Sequence, residues 1–278
     1  MDSIPLPQYE AVLLDDVAPG VRGLNILFVN VYAVEGANGG WTLIDAGLPF
    51  STTKIKHWIE HHFGKGARPD AIILTHGHFD HVGASEELVK EWNVPVYAHA
   101  EELRYLNGET KYPPPDPTVG GGLMAVISPL YPRTSANLSG HVRALPADGS
   151  VPTLPGWRWI HTPGHAPGHI SLYRNSDGTL IVGDAFCTTK TESFLASTIT
   201  EPPELHGPPA YYTPDWTLAR ESVRQLATLR PTTVAPGHGR PMAGIDIAPS
   251  LEELAADFDR IARPEHGRYV DQAKATST

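Results

Sequence analysis

Along the first half of the chain, apolar residues come in short runs of strand length separated by turn residues: Ala11 to Leu14, Leu24 to Val34, and Trp41 to Ile44. The glycine-rich stretch Gly36 to Gly40 predicts a hairpin turn between the last two. After Gly47 the spacing lengthens. Ile55, Trp58, Ile59 and Phe63 fall on one face of a helix expected over Ser51 to Phe63, with Gly64 as its stop. Ala71 to Leu74 is a continuous apolar run, the pattern of a strand covered on both faces. Ser85 to Trp92 then reads as a helix and Val94 to Ala98 as a strand.

From Asn107 to about Pro155 the pattern dissolves into Pro113 to Pro115, Gly120 to Gly122 and scattered apolar residues, the mark of a long irregular insertion. Strand patterns resume at Trp157 to His161, Ile170 to Arg174 and Leu180 to Val182, with Asn175 to Gly178 as the turn between the last two. A second proline-rich tract, Thr188 to Asp215, precedes an amphipathic helix over Asp215 to Leu229. Thr232 to Ala235 reads as a strand. Ser250 to Ala262 reads as a helix opened by Ser250 and Glu253 in capping-box relation. Strands precede helices in each half. The pattern therefore predicts an α/β protein in which two sheets pack face to face with helices outside, a four-layer αβ/βα sandwich. We expect one domain over 1–278 with irregular insertions at about 107–155 and 188–215.

Composition removes several classes of partner. The formal charge is −10, with 21 basic against 31 acidic side chains, so no nucleic-acid partner is expected. No run approaches the roughly 18 apolar residues of a membrane span, so no membrane partner is expected either. The start lacks the basic segment and apolar core of a secretory signal, which makes a cytoplasmic location the expectation. The lone Cys187 excludes an internal disulfide framework or a cysteine-rich zinc site. The 14 histidines direct attention to metal-ligand spacing.

His76-x-His78-x-Asp80-His81 carries the strongest signal, four metal-competent side chains at the end of a predicted buried strand. Imidazole and carboxylate are the donors that zinc and other borderline metals take. One loop offers too few donors for two cations. Further candidates stand just past later apolar runs and beside glycines: His165 in Thr162-Pro163-Gly164-His165, Asp184 after Gly183, and His238 after Gly237.

With Asp45 in Leu43-Ile44-Asp45-Ala46-Gly47, these residues resemble the metallo-β-lactamase fold superfamily of metallo-hydrolases, in order and over most of the chain. The resemblance implies the same αβ/βα sandwich. It implies that His76, His78 and His165 hold one metal, that Asp80, His81 and His238 hold a second, and that Asp184 bridges them. Asp45 is then a structural residue that organises the metal-bearing loop, and His169 an orienting one. The implied cofactors are two divalent cations, zinc foremost, with iron or manganese open. A hydroxide held between them would attack a small-molecule carboxylic ester, lactone or thioester, with Asp80 orienting the water and passing a proton. An iron-dependent oxygenase or a phosphodiesterase on the same scaffold is the alternative.

Four residues stay without assigned roles on sequence alone. Cys187 reads as a small buried hydrophobe. His206, Tyr211 and Tyr212 sit in a proline-rich tract whose aromatic residues could line a pocket or form a homodimer contact equally well.

Overall fold

In the computed structural model, which describes residues 11–36, 39–192 and 203–270, the period-two alternation of the strands sorts their side chains into three separate cores. In the strand β4 (Trp41–Ile44), Leu43 joins one core and Ile44 another. In β5 (Ala71–Ile73), Ile72 and Ile73 divide the same way. In β10 (Thr179–Gly183), Leu180 and Val182 face a third core while Ile181 joins the shared one. A strand whose two faces are both buried needs a covering layer on each side. Two such sheets back to back therefore require four layers, as the sequence pattern predicts.

The first sheet has seven strands in chain order: β1 (Ala11–Ala18), β2 (Val21–Ile26), β3 (Val29–Glu35), β4, β5, β6 (Val96–Ala98) and β7 (Val142–Ala144). Its outer face is covered by α1 (Thr52–Phe63), through Ile55 and Ile59, and by α3 (Ser85–Trp92), through Leu88 and Val89. Between these helices in the chain stands the single turn α2 (Phe79–Val82). The second sheet has five strands in the order β12 (Met242–Ala243), β11 (Thr233–Pro236), β10, β9 (Ile170–Arg174) and β8 (Trp157–His161). Two helices cover its outer face, α6 (Trp216–Ala227) and α7 (Ile247–Ala256), after the short α4 (Leu103–Leu106) and α5 (Leu123–Ile127) of the insertion. Tyr32, Val34, Ile44 and Ile73 meet Ile170, Leu172, Ile181 and Ala235 between the sheets.

Strand direction decides where the chemistry sits. β4 and β5 are parallel, as are β10 and β11, so the loops leaving their carboxyl ends emerge along one edge of the sandwich. There the sheets are tied directly. Ile170 N–H donates to the Thr75 carbonyl (2.9 Å), and the Tyr32 hydroxyl donates to the Pro236 carbonyl (2.7 Å).

Several boundaries differ from the pattern-based expectation. The apolar run Leu24 to Val34 is two strands, because Leu27 adopts a left-handed φ of 63° and turns the chain at Leu27 and Phe28. An apolar turn escapes notice in sequence. This one is apolar because it packs against the cores at the sandwich edge. The last helix begins at Ile247, ahead of Ser250. Pro249 fits its first turn, where no N–H is required, and the Ser250 hydroxyl donates back to the Asp246 carbonyl (2.8 Å) rather than capping. That helix ends at Ala256, and a separate turn, Phe258–Ile261, follows. Asp215 caps α6 by accepting from Leu218 N–H (2.9 Å). The insertion expected at 107–155 is not structureless, since it supplies α5 and the edge strand β7, too short and too exposed to show an alternating pattern. Residues 37–38 of the predicted hairpin turn and 193–202 of the second tract lie outside the described residues.

Candidate metal centre

The loop after β5 is fixed from beneath by Asp45, which leaves the end of β4 with a φ of 63°. Asparagine and aspartate tolerate this left-handed conformation better than other side chains. It brings the Asp45 carboxylate under the neighbouring loop. Oδ1 accepts from Thr75 N–H (2.7 Å), and Oδ2 accepts from the Thr75 hydroxyl (2.8 Å) and from His81 Nδ1 (2.8 Å). His81 Nδ1 is thereby engaged by Asp45, and Nε2 is the atom turned to the interior of the site.

Other rings are oriented in the same manner. His238 Nδ1 donates to the Phe28 carbonyl (2.8 Å) at the β2–β3 turn, and His165 Nδ1 lies 3.3 Å from the Thr213 hydroxyl. His169 accepts Asp184 N–H at Nε2 (2.8 Å) and donates from Nδ1 to the Thr162 hydroxyl (2.8 Å), so it orients Asp184 from behind. Asn30 holds the His238 loop, donating both amide hydrogens, to the carbonyls of Pro236 (2.9 Å) and Gly239 (2.7 Å). Within that loop Gly237 is required for space, because a Cβ there would stand 2.1 Å from Asp184 Oδ1.

The result is a buried cluster of nitrogen and oxygen donors. His76 Nε2 lies 3.0 Å from His78 Nδ1, which lies 2.8 Å from His165 Nε2. Asp184 spans the gap to the other donors. Its Oδ2 is 3.4 Å from His165 Nε2 and 3.1 Å from His238 Nε2, and its Oδ1 is 3.4 Å from His81 Nε2. Asp80 Oδ2 completes that side, 3.5 Å from His238 Nε2. In each of three overlapping sets the donor atoms lie within 4.8 Å of one another: His76, His78 and His165; His76, His81 and Asp184; Asp80, His81 and His238. Donors that share one cation at about 2.0–2.2 Å lie about 3–3.5 Å apart, and the closest donor pairs within these sets, His76–His78 (3.0 Å), His78–His165 (2.8 Å) and Asp80–His238 (3.5 Å), fall at or near that spacing. Two atoms add a direct test. His81 Nε2 and Asp184 Oδ1 are fully buried, face one another at 3.4 Å and, among the described residues, accept or donate no hydrogen bond, an arrangement that a metal ion between them would complete. The residues present thus fit divalent metal.

Electrostatics divides the cluster. Burial pushes His76, His78 and His165 below the ordinary histidine range, His78 to about 3, so these rings are neutral at pH 7. Burial also opposes charge on His81 and His238, but carboxylates overturn it. Asp184 with Asp45 raises His81 well above its usual value, and Asp184 with Asp80 raises His238. Burial works against the Asp184 charge as well, yet His238 and His81 hold it well below the carboxylate range. Burial raises Asp80.

All seven residues singled out in the sequence, His76, His78, Asp80, His81, His165, Asp184 and His238, meet in this one cluster. Asp45 and His169 stand behind it, as expected of them. Cys187 is wholly buried, its thiol pushed up by burial, with its backbone paired to that of His206. Tyr212 stacks on His78 at 4.7 Å and lines the cavity beside it, whereas Tyr211 is buried among neighbouring aromatic rings. The sequence reading missed Thr75, Thr213, Asn30 and the Phe28 carbonyl. Of these only Asn30, a polar residue inside an apolar run, left a legible signal. A further set, His99, Glu101 and His161, lies nearer the surface. There the His99 and His161 rings stack at 4.1 Å with 13° between planes, which confines their in-plane lone pairs to two near-parallel planes.

A family model described as the metallo-beta-lactamase superfamily matches residues 24–238, a span that holds every donor of the cluster. The chain belongs to that superfamily. Similar to this metallo-β-lactamase superfamily member is the probable metallo-hydrolase YflN of Bacillus subtilis (strain 168), 48% identical over 242 residues that cover 86% of this chain and 91% of the relative. Hydroxyacylglutathione hydrolase GloC of Haemophilus influenzae (strain ATCC 51907 / DSM 11121 / KW20 / Rd) is 30% identical over 115 residues, 41% of this chain and 48% of its own. Among solved structures, that of TTHA1623 in a di-iron-bound form aligns with a TM-score of 0.54 at 29% identity, covering 81% of this chain and 94% of that one. The BLEG-1 B3 metallo-beta-lactamase, with a TM-score of 0.55 at 24% identity over 86% and 96% of the two chains, shares the fold. With the superfamily's hydrolytic chemistry and a buried cluster of His and Asp donors, this superfamily member is a metal-dependent hydrolase.

Proposed function

We propose that this metallo-hydrolase cleaves a small, uncharged carboxylic ester, lactone or thioester. In this reading His76, His78 and His165 hold one divalent cation, Asp80, His81 and His238 a second, and Asp184 serves both. The observation that carries the assignment is the convergence of seven buried donor residues, in which His81 Nε2 and Asp184 Oδ1 face one another at 3.4 Å without a hydrogen bond. Bound divalent cations supply Lewis acidity toward a carbonyl oxygen and lower the pKa of water from 15.7 toward about 7.

The chain's own residues do the remaining work. In this reading Asp80, buried beside His238, orients water and returns a proton to the leaving group. The cavity over His78 and His165 is walled by Tyr112, Pro113, Pro114, Tyr212, Pro214 and Tyr269. Proline and aromatic walls give the cavity a largely apolar lining, which is the basis for reading an apolar acyl group there. Among the described residues, no lysine or arginine lines this cavity. That lining favours a substrate whose acyl part is uncharged. It also favours thioesters simpler than the glutathione thioesters named for GloC.

Iron is the second reading for the metal, favoured by the di-iron form of TTHA1623, and with it oxygen chemistry on the same scaffold. The deciding experiment is elemental analysis of protein purified without chelator or added metal, paired with a panel of aryl esters, lactones and simple thioesters. About two zinc per chain, with turnover abolished in His78→Ala, supports the hydrolase. Iron in place of zinc, with no hydrolysis and with oxygen uptake on a thiol, overturns it.

A further inference from the structure

Glu102 is wholly buried just after β6 and lies outside the donor cluster. It is nevertheless bonded to both loops that carry the three-histidine set. Its Oε2 accepts from Gly77 N–H (2.9 Å), the peptide between His76 and His78. Its Oε1 accepts from Gly168 N–H (2.8 Å), in the loop that bears His165 and His169. A third donor, the Tyr112 hydroxyl, also bonds Oε2, and the Tyr112 ring stands 4.5 Å from that of His78. A buried carboxylate is costly unless donors surround it, and here all three donors come from elements that build the site.

Two glycines make the approach feasible. A Cβ on Gly77 would stand 2.6 Å from the Tyr112 hydroxyl, and one on Gly168 would stand 2.8 Å from Glu102 Cγ. Neither position has a left-handed φ, so space rather than backbone freedom accounts for the glycines.

We infer that Glu102 is a positioning residue that clamps the two histidine loops at the separation a shared cation requires, and ties the Tyr112 wall of the cavity to the same point. The inference rests on the proposal that His76, His78 and His165 hold a cation. Glutamine cannot replace the clamp. Gly77 N–H and Gly168 N–H are donors on opposite oxygens, so one of them must face the amide NH₂; where that is Gly77 N–H, it keeps only the Tyr112 hydroxyl (3.0 Å) and loses its direct tie to position 102.

The test is zinc affinity of the full chain, measured by competition with a chromophoric chelator, for wild type, Glu102→Gln and a control, Leu88→Ala. Leu88 is a buried residue of α3 in the core on the outer face of the first sheet, away from the Glu102 bonds, and its truncation is expected to destabilise the fold. Glu102→Gln is expected to bind the tighter zinc about 10–100-fold more weakly and to alter the d–d absorption of the cobalt-substituted protein. Leu88→Ala should keep both near wild type at a comparable loss of Tm. Wild-type affinity in Glu102→Gln, or a loss no greater than in Leu88→Ala, overturns the inference. Should Glu102→Gln not fold, Tyr112→Phe, which removes one donor, is expected to weaken zinc about two- to fivefold, a fraction of the effect of losing a whole orienting partner. Unchanged affinity there counts against the clamp. Wild-type protein that binds zinc but cleaves no ester removes the proposed substrate class and leaves the clamp standing. Wild-type protein that binds no zinc removes both.

Discussion

The two sides of the donor cluster hold similar atoms in opposite electrostatic settings. His76, His78 and His165 meet one another through ring nitrogens, with Asp184 3.4 Å from His165, and burial keeps their rings neutral. His81 and His238 stand among Asp45, Asp80 and Asp184, which keep those rings prone to protonation in the absence of metal. One side is thus ready for a cation at neutral pH, while the other must first release protons. Ligand type alone does not show this difference. It follows from which strand ends bring carboxylates.

The harshest way to break the comparison is to remove the residue common to both sides. Asp184→Asn should lower kcat/KM on any ester the protein cleaves by on the order of 10³, the several kcal/mol that a metal supplies, and should leave about one metal per chain by elemental analysis. Retention of two metals with full activity would contradict a shared Asp184. Next comes Asp45→Asn, which replaces an acceptor by a donor opposite His81 Nδ1 and so moves the histidine proton to Nε2, the atom facing Asp184. Calorimetric titration should show the weaker metal site losing about 10–100-fold in affinity, with the tighter site little changed.

The pH dependence sharpens the contrast without mutation. His81 and His238 have raised pKa values, so rising pH removes protons that compete with metal, and affinity at that site should climb about tenfold per pH unit for each proton displaced. The three-histidine site, with His78 at about 3, should be nearly flat above pH 7. Equal slopes at the two sites would abolish the distinction. The smallest effect is expected for Thr213→Val. It removes the 3.3 Å contact behind His165 and should cost about two- to fivefold in affinity of the tighter site, below the usual range for an orienting partner because the contact is long.

The layered fold was legible because burial of both faces of β4, β5 and β10 writes itself as apolar runs, and α1, α3 and α6 as three-to-four spacing. The β2–β3 turn was not, since Leu27 and Phe28 are as apolar as the strands they join. The seven donors were legible because histidine and aspartate just past strand-like runs have few structural uses. Glu102 was invisible for the opposite reason. A glutamate beside Glu101 at the head of a helical turn looks like solvated surface, and only the fold carries it beneath two loops distant in the chain.

What the sequence determined by itself was the layering, the identity of the donors and the strand ends that bear them, since periodicity and residue type are local properties. What the tertiary structure alone decided was the charge state of each donor, the ring nitrogen each presents and the carboxylate that holds the loops together. Those depend on groups tens to hundreds of residues apart in the chain, brought within hydrogen-bond distance only when the two sheets close on one another.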